Sequence, residues 1–538
     1  MQLALSFTTL LASLLVVLSV TGDGVQAAPA RRSGSMVTLP LKRIHQARSD
    51  IHPQVLLQQH INRSLKRHAR MTGRAPPSKR ELEDNLTKRL YIPAGGRPGH
   101  KNAKRYNRSG INVAVAEPFV NEAAAKKGKG KGQAKGGAAA AGAGGAAAGG
   151  GAGAAAGGAA GTANTTGSAT GSTAASDGGP GISQIDVTAA QVGGLTDAGN
   201  PTANNSLGLD IEANDVGYIA VVQMGTPPQD YKLLMDSGSA DLWVGAENCQ
   251  SQGGGGCGNH TFLGTQSSSS FVDSGKQFQV TYGTGSVAGD IVTDNVNIAG
   301  LALNTHTFGV ATTESVDFSA DSVPFDGLMG LAQSTLSEQQ TLTPIESLAK
   351  AGLVTDAITS YKISRLADQK NDGEITFGGL DSTKFDPNSL VTFANVNTQG
   401  FWEGAMSVSS NGQDLGLQGR TAILDTGTTL IVAPAADAQA VHATISGSQS
   451  DGQGGFTIPC TTNASIALTF GGQSFAIDTR DLLFAPVDPA NLQGDCVSGI
   501  SSGNIGGATE WLVGDVFLKN AYFSTDVTNN QISLAKLV

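Results

Sequence analysis

The chain has 538 residues, including 72 Gly and only four Cys, and its formal net charge is −9. This length is enough for two or three ordinary domains. The four cysteines form no CxxC pair and no His stands at ligand spacing, so the composition argues against a zinc site.

Positive charge is concentrated before residue 206. Residues 1–205 hold 24 Lys and Arg against 10 Asp and Glu, whereas residues 206–538 hold 11 against 34. A basic tail that binds nucleic acid is one interpretation of this split. The alternative is a basic segment that covers an acidic domain of the same chain. The chemistry of the acidic part, described below, favours the second, so we predict no nucleic-acid partner.

The N-terminus has the pattern of a secretory signal. Residues 3–20 are mostly apolar, and residues 25–27 offer the small-residue pattern of a signal-peptidase site. We predict a signal peptide over residues 1–27, with a retained membrane anchor as the alternative. No other stretch is long enough for a transmembrane helix, and the end of the chain lacks the apolar tail of a GPI signal. We therefore expect no membrane anchor after signal removal.

Two biased segments follow the signal. Residues 28–135 are basic and rich in Lys-Arg and Arg-Arg pairs, and residues 55–68 can form an amphipathic helix. Residues 136–163 are almost only Ala and Gly, which contain too much Gly for a stable helix and too little apolar volume for a core. We predict a flexible linker over residues 136–205.

From residue 206 the sequence changes to short β-type runs separated by Gly, Asn and Asp. Residues 278–282 and 287–292 flank a Gly-rich tetrapeptide and predict a hairpin. Helical patterns are sparse, with residues 344–351 as one example. The fold class is therefore mainly β.

One short motif occurs twice in this part. Residues 233–239 and 422–428 each contain an apolar run, then Asp, a hydroxyl residue, Gly and a second hydroxyl residue. The apolar run predicts a buried strand, and a carboxylate at its end needs hydrogen-bond donors because burying a charge is costly. Two such units suggest two half-sites whose carboxylates, Asp236 and Asp425, share a proton and act together as acid and base. A third Asp-Ser-Gly run at residues 273–275 has no matching copy, and we interpret it as a hairpin turn.

Cysteines and sequons indicate the secretory pathway. Four cysteines allow three pairings, a close pair that would close a small loop being among them. The signal segment, the even cysteine count and the sequons together predict a secreted protein, with the vacuole left open. Asn-X-Ser/Thr sequons occur at Asn62, Asn85, Asn107, Asn164, Asn204, Asn259 and Asn463.

Residues 206–538 resemble the pepsin-like aspartic endopeptidases of the secreted fungal type. Residues 236–244 resemble the first catalytic motif of that family, and residues 425–429 resemble the second. Each copy is followed, 94 and 89 residues later, by the Gly of a second apolar-apolar-Gly element, at residues 328–330 and 512–514. The resemblance implies a bilobal fold in which two pseudo-two-fold-related β lobes, residues 206–385 and 386–538, enclose the active-site cleft.

The resemblance also implies roles for individual residues around the pair Asp236 and Asp425. Ser239 and Thr428 would donate to the outer carboxylate oxygens, and the amides of Gly238 and Gly427 to the inner ones. The hydroxyls of Ser237 and Thr426 would tie the two motif loops together.

Further roles follow from the flap, the hairpin that closes over bound peptide. Tyr282, Gly283 and Thr284 would form the flap, and Tyr282 would be hydrogen-bonded to Trp243. The tip of the flap would be exposed and mobile when no peptide is bound. Some fungal relatives carry Asp at position 284, and its absence implies a preference for apolar residues around the cut bond. Cys249–Cys257 and Cys460–Cys496 match two disulfides of the family, and Asn259 and Asn463 are glycosylation candidates.

The implied activity is hydrolysis of internal peptide bonds at acid pH by a water held between the two Asp, without cofactor or metal. Residues 37–43 resemble the start of a pepsinogen-type propeptide, so residues 28–135 would inhibit the enzyme until maturation. We expect protein and peptide substrates and a monomer. The alternative, a catalytically silent binding protein of the same fold, would normally have lost an Asp or the flap Tyr, and both are present.

Overall fold

The computed structural model describes residues 57–62, 65–66, 69, 77–78, 105–106, 112–113 and 181–538, except 283, 284, 504 and 506. The predicted signal peptide and residues 136–180 of the predicted linker lie outside the described residues, as does most of the basic segment. No helix in the described part is long and apolar enough to cross a membrane.

Strands dominate the secondary structure. In chain order, the strands β1 to β15 are Arg105–Tyr106, Asn112–Val113, Leu195–Thr196, Ser206–Gly208, Asp210–Glu212, Gly217–Met224, Gln229–Asp236, Leu242–Ser251, Val272–Thr281, Ser286–Ile298, Leu301–Glu314, Gly327–Gly330, Ile358–Lys362, Glu374–Phe377 and Val391–Ala394. The strands β16 to β29 are Glu403–Ser410, Gln413–Asp414, Arg420–Leu424, Ile431–Ala433, Gln449–Ser450, Phe456–Pro459, Ile466–Phe470, Gln473–Ile477, Leu483–Pro486, Asp495–Ser498, Ile500–Ser502, Glu510–Val513, Tyr522–Asp526 and Gln531–Ala535.

The helices are few and short. The helices α1 to α5 are Gln184–Val192, Val316–Ser319, Pro344–Lys350, Ala435–Ala443 and Asp515–Leu518, and the 3₁₀ helices η1 to η3 are Ser334–Leu336, Leu366–Asp368 and Pro387–Ser389. The described residues 57–62, 65–66 and 69 are also helical, within the range in which an amphipathic helix was predicted.

The same strand arrangement appears in each half of the chain. In the nine-stranded sheet, β12 lies between β7 and β8, parallel to the first and antiparallel to the second. In the eight-stranded sheet, β27 lies between β18 and β19 with the same two orientations. These inserted strands are the two apolar-apolar-Gly elements of the sequence. The repeat confirms the mainly β, bilobal pepsin-like fold.

Glycine is required where each inserted strand ends. A Cβ built on Gly330 would lie 2.5 Å from the Ala240 carbonyl carbon, and one on Gly514 would lie 1.9 Å from the Thr428 carbonyl oxygen. Any side chain at either position would therefore push the inserted strand away from the loop that carries the motif Asp.

A third sheet combines strands from both predicted lobes. Its order is β15-β29-β28-β13-β14-β4. Strands β4, β13 and β14 lie within residues 206–385, and β15, β28 and β29 lie within residues 386–538. The sheet therefore joins the first described strands of the catalytic part to its last ones. The lobe boundaries themselves stay a prediction.

The end of the predicted linker is ordered, so the expectation of a flexible stretch up to residue 205 is wrong from residue 181 onward. Helix α1 is capped by Ser183, whose Oγ accepts from the Ile185 amide at 3.1 Å, and the side chains of Ile182 and Val187 are buried. Strand β3 then pairs with β5. The composition argument failed because the apolar residues that begin at 182 supply the burial that the Ala/Gly run lacks.

The hairpin predicted for residues 278–292 is confirmed by the antiparallel pair β9–β10. The third Asp-Ser-Gly run, however, is not a hairpin turn. Residues 273–275 lie inside β9, next to a register shift opposite Ile291 and Val292, and Gly275 has a positive φ of 70°. The run is therefore an irregularity within a strand, where glycine supplies the backbone conformation.

Candidate active site

The two motif Asp residues stand at corresponding places. Asp236 is the last residue of β7, and Asp425 directly follows β18. Their exposed fractions are 0% and 1%. Both strands are central in their sheets and become apolar just before the Asp, so the fold carries each carboxylate into the interior, where it needs hydrogen-bond donors.

Each carboxylate receives the same two local hydrogen bonds. The Gly238 amide donates to Asp236 Oδ1 at 3.0 Å, and Ser239 Oγ donates to Oδ2 at 2.6 Å. In the second copy, the amide that follows Thr426 donates to Asp425 Oδ1 at 2.9 Å, and Thr428 Oγ1 donates to Oδ2 at 2.6 Å. This amide of the second copy belongs to Gly427. Such bonds fix the orientation of the two carboxylates.

The two motif loops are joined by four reciprocal hydrogen bonds. The Ser237 amide donates to Thr426 Oγ1 at 2.9 Å, and the Thr426 amide donates to Ser237 Oγ at 3.0 Å. Ser237 Oγ donates to the Leu424 carbonyl at 3.1 Å, and Thr426 Oγ1 donates to the Met235 carbonyl at 2.9 Å. Each hydroxyl therefore both donates and accepts across the interface. The structure brings the two motifs together from opposite halves of the chain.

The inserted strands support the loops from the side. The Leu331 amide donates to the Asp236 carbonyl at 2.8 Å, and the Asp425 amide donates to the Val513 carbonyl at 3.0 Å. Because each Asp backbone is held by the strand that its own half contributes, the carboxylate positions are fixed by the sheets rather than by flexible loops.

Tyr282, which was predicted to belong to the flap, contacts two aromatic side chains. Trp243 Nε1 donates to Tyr282 Oη at 2.7 Å, and the Tyr282 and Phe318 rings meet edge to face at 5.5 Å. Tyr282 is only 5% exposed, so this residue does not share the exposure that was expected of the flap tip. The ring is covered because Trp243 and Phe318 offer it an apolar surface. Gly283 and Thr284 lie outside the described residues.

A further buried carboxylate was missed by the sequence analysis. Asp515 begins α5 directly after Gly514, is fully buried, and neither of its side-chain oxygens has a hydrogen-bond partner in the described part of the chain. Burial raises the pKa of Asp515 well above its usual range, Lys519 opposes this shift, and Asp425 adds to it. Its position straight after the second apolar-apolar-Gly element was the signal available in the sequence.

The helical residues of the basic segment contact the acidic part of the chain. Leu57 and Ile61, four residues apart on one helix face, are buried in its main core, and the His60 ring meets Phe484 at 5.2 Å. Leu65, one turn further, packs against a separate apolar cluster. That cluster consists of Phe401, Ile423, Val432, Ile505 and Leu512.

Both disulfides implied by the resemblance are present, Cys249–Cys257 and Cys460–Cys496. In the described residues, one group has metal-ligand spacing, and it consists of the first disulfide and Glu314. Because both sulfurs are bonded to each other, this group offers a metal a single carboxylate. The glycosylation candidates Asn259 and Asn463 are both exposed.

Comparisons with known proteins agree with this geometry. A family model described as eukaryotic aspartyl protease matches residues 217–537. The chain is 36% identical over 341 residues to a protein named "Probable aspartic-type endopeptidase CTSD" from Arthroderma benhamiae, an alignment that covers 63% of this chain and 64% of that protein. It is 34% identical over 339 residues to "Aspartic-type endopeptidase ctsD" from Aspergillus fumigatus, with 63% and 69% covered.

A third relative is Rhizopuspepsin from Rhizopus chinensis, which is 35% identical over 327 residues, with 60% of this chain and 79% of the relative covered. The chain thus spans somewhat less than two thirds of the Arthroderma relative. The family model, by contrast, spans more than half of this chain and includes both Asp motifs with their inserted strands. The chain belongs to the eukaryotic aspartyl protease family.

Proposed function

We propose that the protein is an aspartic endopeptidase that hydrolyses internal peptide bonds of proteins at acid pH. The observation that carries the proposal is the matched pair of carboxylates, Asp236 and Asp425, each with one amide and one hydroxyl donor, on two loops joined by reciprocal hydrogen bonds. A binding protein without activity would not need both carboxylates in the same donor environment.

The mechanism uses one proton shared by the pair. An ionised carboxylate takes a proton from a water held between Asp236 and Asp425 as the water oxygen attacks the carbonyl carbon. The protonated partner gives its proton to the carbonyl oxygen, which leaves a tetrahedral diol. When the diol collapses, the C–N bond breaks, the pair gives one proton to the leaving nitrogen and takes one proton from a diol hydroxyl, and a carboxylic acid and an amine are released with the pair again sharing one proton. No covalent intermediate forms.

The donors to the carboxylates prepare this step. Ser239 and Thr428 hold the outer oxygens, and the amides of Gly238 and Gly427 hold the inner ones, so the carboxylates do not rotate as charge moves between them. The assignment of the proton to one or the other Asp is a property of the pair.

We further propose that the protein is a zymogen, secreted or vacuolar, whose basic segment inhibits it. The helical contact of Leu57, Ile61 and Leu65 with the catalytic part supports this role. The basic segment and the acidic part attract each other at neutral pH, and protonation of carboxylates in acid weakens that attraction. Lys88, a candidate partner of the two Asp, lies outside the described residues. No Lys or Arg occurs between residues 136 and 231, so proteases that cut at basic residues cannot complete maturation there.

The substrate preference is proposed to be apolar around the cut bond, as the Thr at position 284 suggests. The acting form is proposed to be a monomer that needs no cofactor, takes protein and peptide substrates, and binds no nucleic acid. The silent binding protein remains the alternative outcome of the experiment below.

The test is a pH profile of peptide hydrolysis by the matured protein. We expect activity to be highest below about pH 6 and to decline towards pH 7, because one carboxylate of the pair must stay protonated. The acidic excess of residues 206–538 acts in the same direction, since self-repulsion grows as pH rises. A stoichiometric statine-type inhibitor should abolish the activity. An optimum above pH 7, activity that survives the inhibitor, or peptide binding without hydrolysis would contradict the proposal.

Replacing Tyr282 by Phe should lower catalytic efficiency without unfolding the protein. The substitution removes the hydrogen bond from Trp243 Nε1 but keeps the ring that packs on Phe318. We expect kcat/KM for a peptide to fall about tenfold, because the flap loses its fixed closed position, while the free energy of unfolding changes by about 1 kcal/mol. Tyr282→Ala, which also removes the buried ring, should cost more stability. An unchanged kcat/KM in the Phe variant would argue against a flap role.

A further inference from the structure

Helix α1 lies against a partly buried group of charged side chains that come from distant parts of the chain. We call this group the ion cluster. It contains Asp215, Arg365, Asp368, Asp478, Arg480, Asp481 and Lys519. These residues lie in the β5–β6 turn, at η2, between β23 and β24, and after α5.

The cations of the ion cluster are fully occupied by its own carboxylates. Lys519 Nζ donates to Asp215 Oδ2 and to Asp481 Oδ1, both at 2.9 Å. Arg365 makes a two-pronged contact with Asp481, at 2.9 Å from Nε and 2.6 Å from Nη2. Arg480 makes a two-pronged contact with Asp478, at 3.1 Å from Nε and 2.8 Å from Nη2, and its Nη1 donates to Asp368 at 2.7 Å. No cation of the cluster is left to neutralise a further carboxylate.

Asp186, in the first turn of α1, faces this saturated cluster. With Asp215, Arg365, Arg480, Asp481 and Lys519 it lines a cavity of about 30 Å³, large enough for one water molecule. Asp186 Oδ1 is buried and has no hydrogen-bond partner in the part of the chain that the structure describes. A buried ionised carboxylate without partners is costly, whereas the neutral acid is tolerated.

The pKa of Asp186 agrees with this lack of a hydrogen-bond partner for Oδ1 within the described residues. Burial and the nearby Asp215 raise the pKa of Asp186 to about 7; Asp481 adds to the shift, whereas Lys519 and Arg480 oppose it. His60, from the basic segment, contacts the ring of Phe484, which lines the same cavity. The carboxylates therefore outweigh the cations at the position of Asp186.

We propose that α1 is an acid-dependent clasp, docked on the ion cluster while Asp186 is protonated and released when Asp186 ionises. The clasp comprises residues 182–193, whose hold on the body depends on the burial of Ile182 and Val187. Strand β3, by contrast, is held by its pairing with β5 and by the hydrogen bond from the Ala213 amide to the Gly194 carbonyl at 2.9 Å. The segment that is released therefore ends before β3, which stays paired with β5.

The direction of the pH dependence follows from linkage. An acid whose pKa is higher in the docked state than in the released state favours docking at low pH. With about 3.9 for a free Asp and about 7 in the docked state, docking is strongest below about pH 4 and weakens as pH rises to about 7. The opening constant of α1 should rise about tenfold per pH unit across this interval and level off above it.

The experiment measures hydrogen exchange in the full-length chain that carries Asp236→Asn, which prevents self-cleavage. The reporter amides lie in α1, from Val187, which donates to the Ser183 carbonyl, to Gly193, which donates to the Ala189 carbonyl. After correction for intrinsic exchange, their opening constant should increase by about 300-fold between pH 4 and pH 7. The Ala213 amide is the internal reference and should not show this increase.

Two substitutions distinguish an effect of Asp186 ionisation on α1 from a general effect of removing one negative charge. Asp186→Asn mimics the protonated acid, so α1 should stay closed from pH 4 to pH 8. Asp197→Asn makes the same charge change at an exposed position just after β3, and should behave as the unsubstituted chain.

The proposal is overturned if Asp186→Asn keeps the pH-dependent opening, if it opens α1 or fails to fold at pH 4, or if the unsubstituted chain shows no change with pH. Because hydrogen exchange is read without any substrate, none of these outcomes depends on whether the protein is a peptidase.

Discussion

Replacing Asp236 with Asn should abolish peptide hydrolysis, with kcat reduced by about four orders of magnitude or more. The Asn amide can still accept from the Gly238 amide through its oxygen and can donate to Ser239 Oγ through its nitrogen, so the loop should keep its shape. It can neither take a proton from water nor share one with Asp425. Steady-state hydrolysis of a peptide at acid pH measures the effect. The variant chain should also stay longer than the mature form, because the proposed self-processing is lost.

The chain contains a matched control in its third Asp-Ser-Gly run. The Gly275 amide donates to Asp273 Oδ1 at 2.8 Å, which is the same local hydrogen bond that Asp236 receives at 3.0 Å. Asp273 is exposed and lacks a second motif opposite it. Asp273→Asn should therefore leave kcat unchanged. Substantial activity in Asp236→Asn, or its maturation in a host without other acid proteases, would contradict the roles proposed for the pair and for self-processing.

Replacing Lys519 with Met should lower the free energy of unfolding by about 3–5 kcal/mol. Met keeps the length of the side chain but leaves Asp215 and Asp481 buried without the cation that both of them contact. Burial alone would raise the pKa of Asp481, yet Lys519 and Arg365 lower it to about 2. This stabilisation is complete above about pH 4 and is lost as pH falls through 2, so denaturant unfolding at pH 5 measures it in full.

Lys370 offers the comparison for that substitution. It pairs with Asp372 at 2.9 Å, but its side chain is 76% exposed. Lys370→Met should change the free energy of unfolding by less than about 1 kcal/mol, because water solvates both charges when the pair is lost. Equal effects of the two substitutions would mean that the burial of Lys519 does not determine how much its ion pairs contribute to the free energy of unfolding.

The motif pair and the inserted strands could be predicted because each is local in sequence and occurs twice. An apolar run that ends in Asp, hydroxyl residue and Gly predicts a buried strand and a turn without knowledge of distant residues. The ion cluster could not be predicted, since Asp215 and Lys519 lie 304 residues apart and neither stands in a distinctive pattern. Helix α1 was missed because its segment follows a long Ala/Gly run whose composition dominated the prediction.

The burial of Tyr282 depends on Phe318, a partner that could not be identified from the sequence. Its hydrogen bond to Trp243 was implied by the resemblance, but Phe318, whose ring also contacts it, lies in the short helix α2, outside the motifs described above. Burial of an aromatic side chain is a property of the surfaces that surround it, and here the two aromatic partners, Trp243 and Phe318, come from separate stretches of chain.

The sheet shared between the two halves has a consequence for how the protein is made. Its strand β29 spans Gln531–Ala535, and Leu537 forms a bridge with Phe385 beyond it. The second motif loop is also supported by α5, because the Asp515 amide donates to the Thr428 carbonyl at 2.9 Å. During synthesis from the N-terminus, neither contact can form before residues 515 and 531–537 have been made. A polypeptide that stops before residue 515 therefore lacks this support of the second motif loop, and it also lacks strands β28 and β29 of the shared sheet.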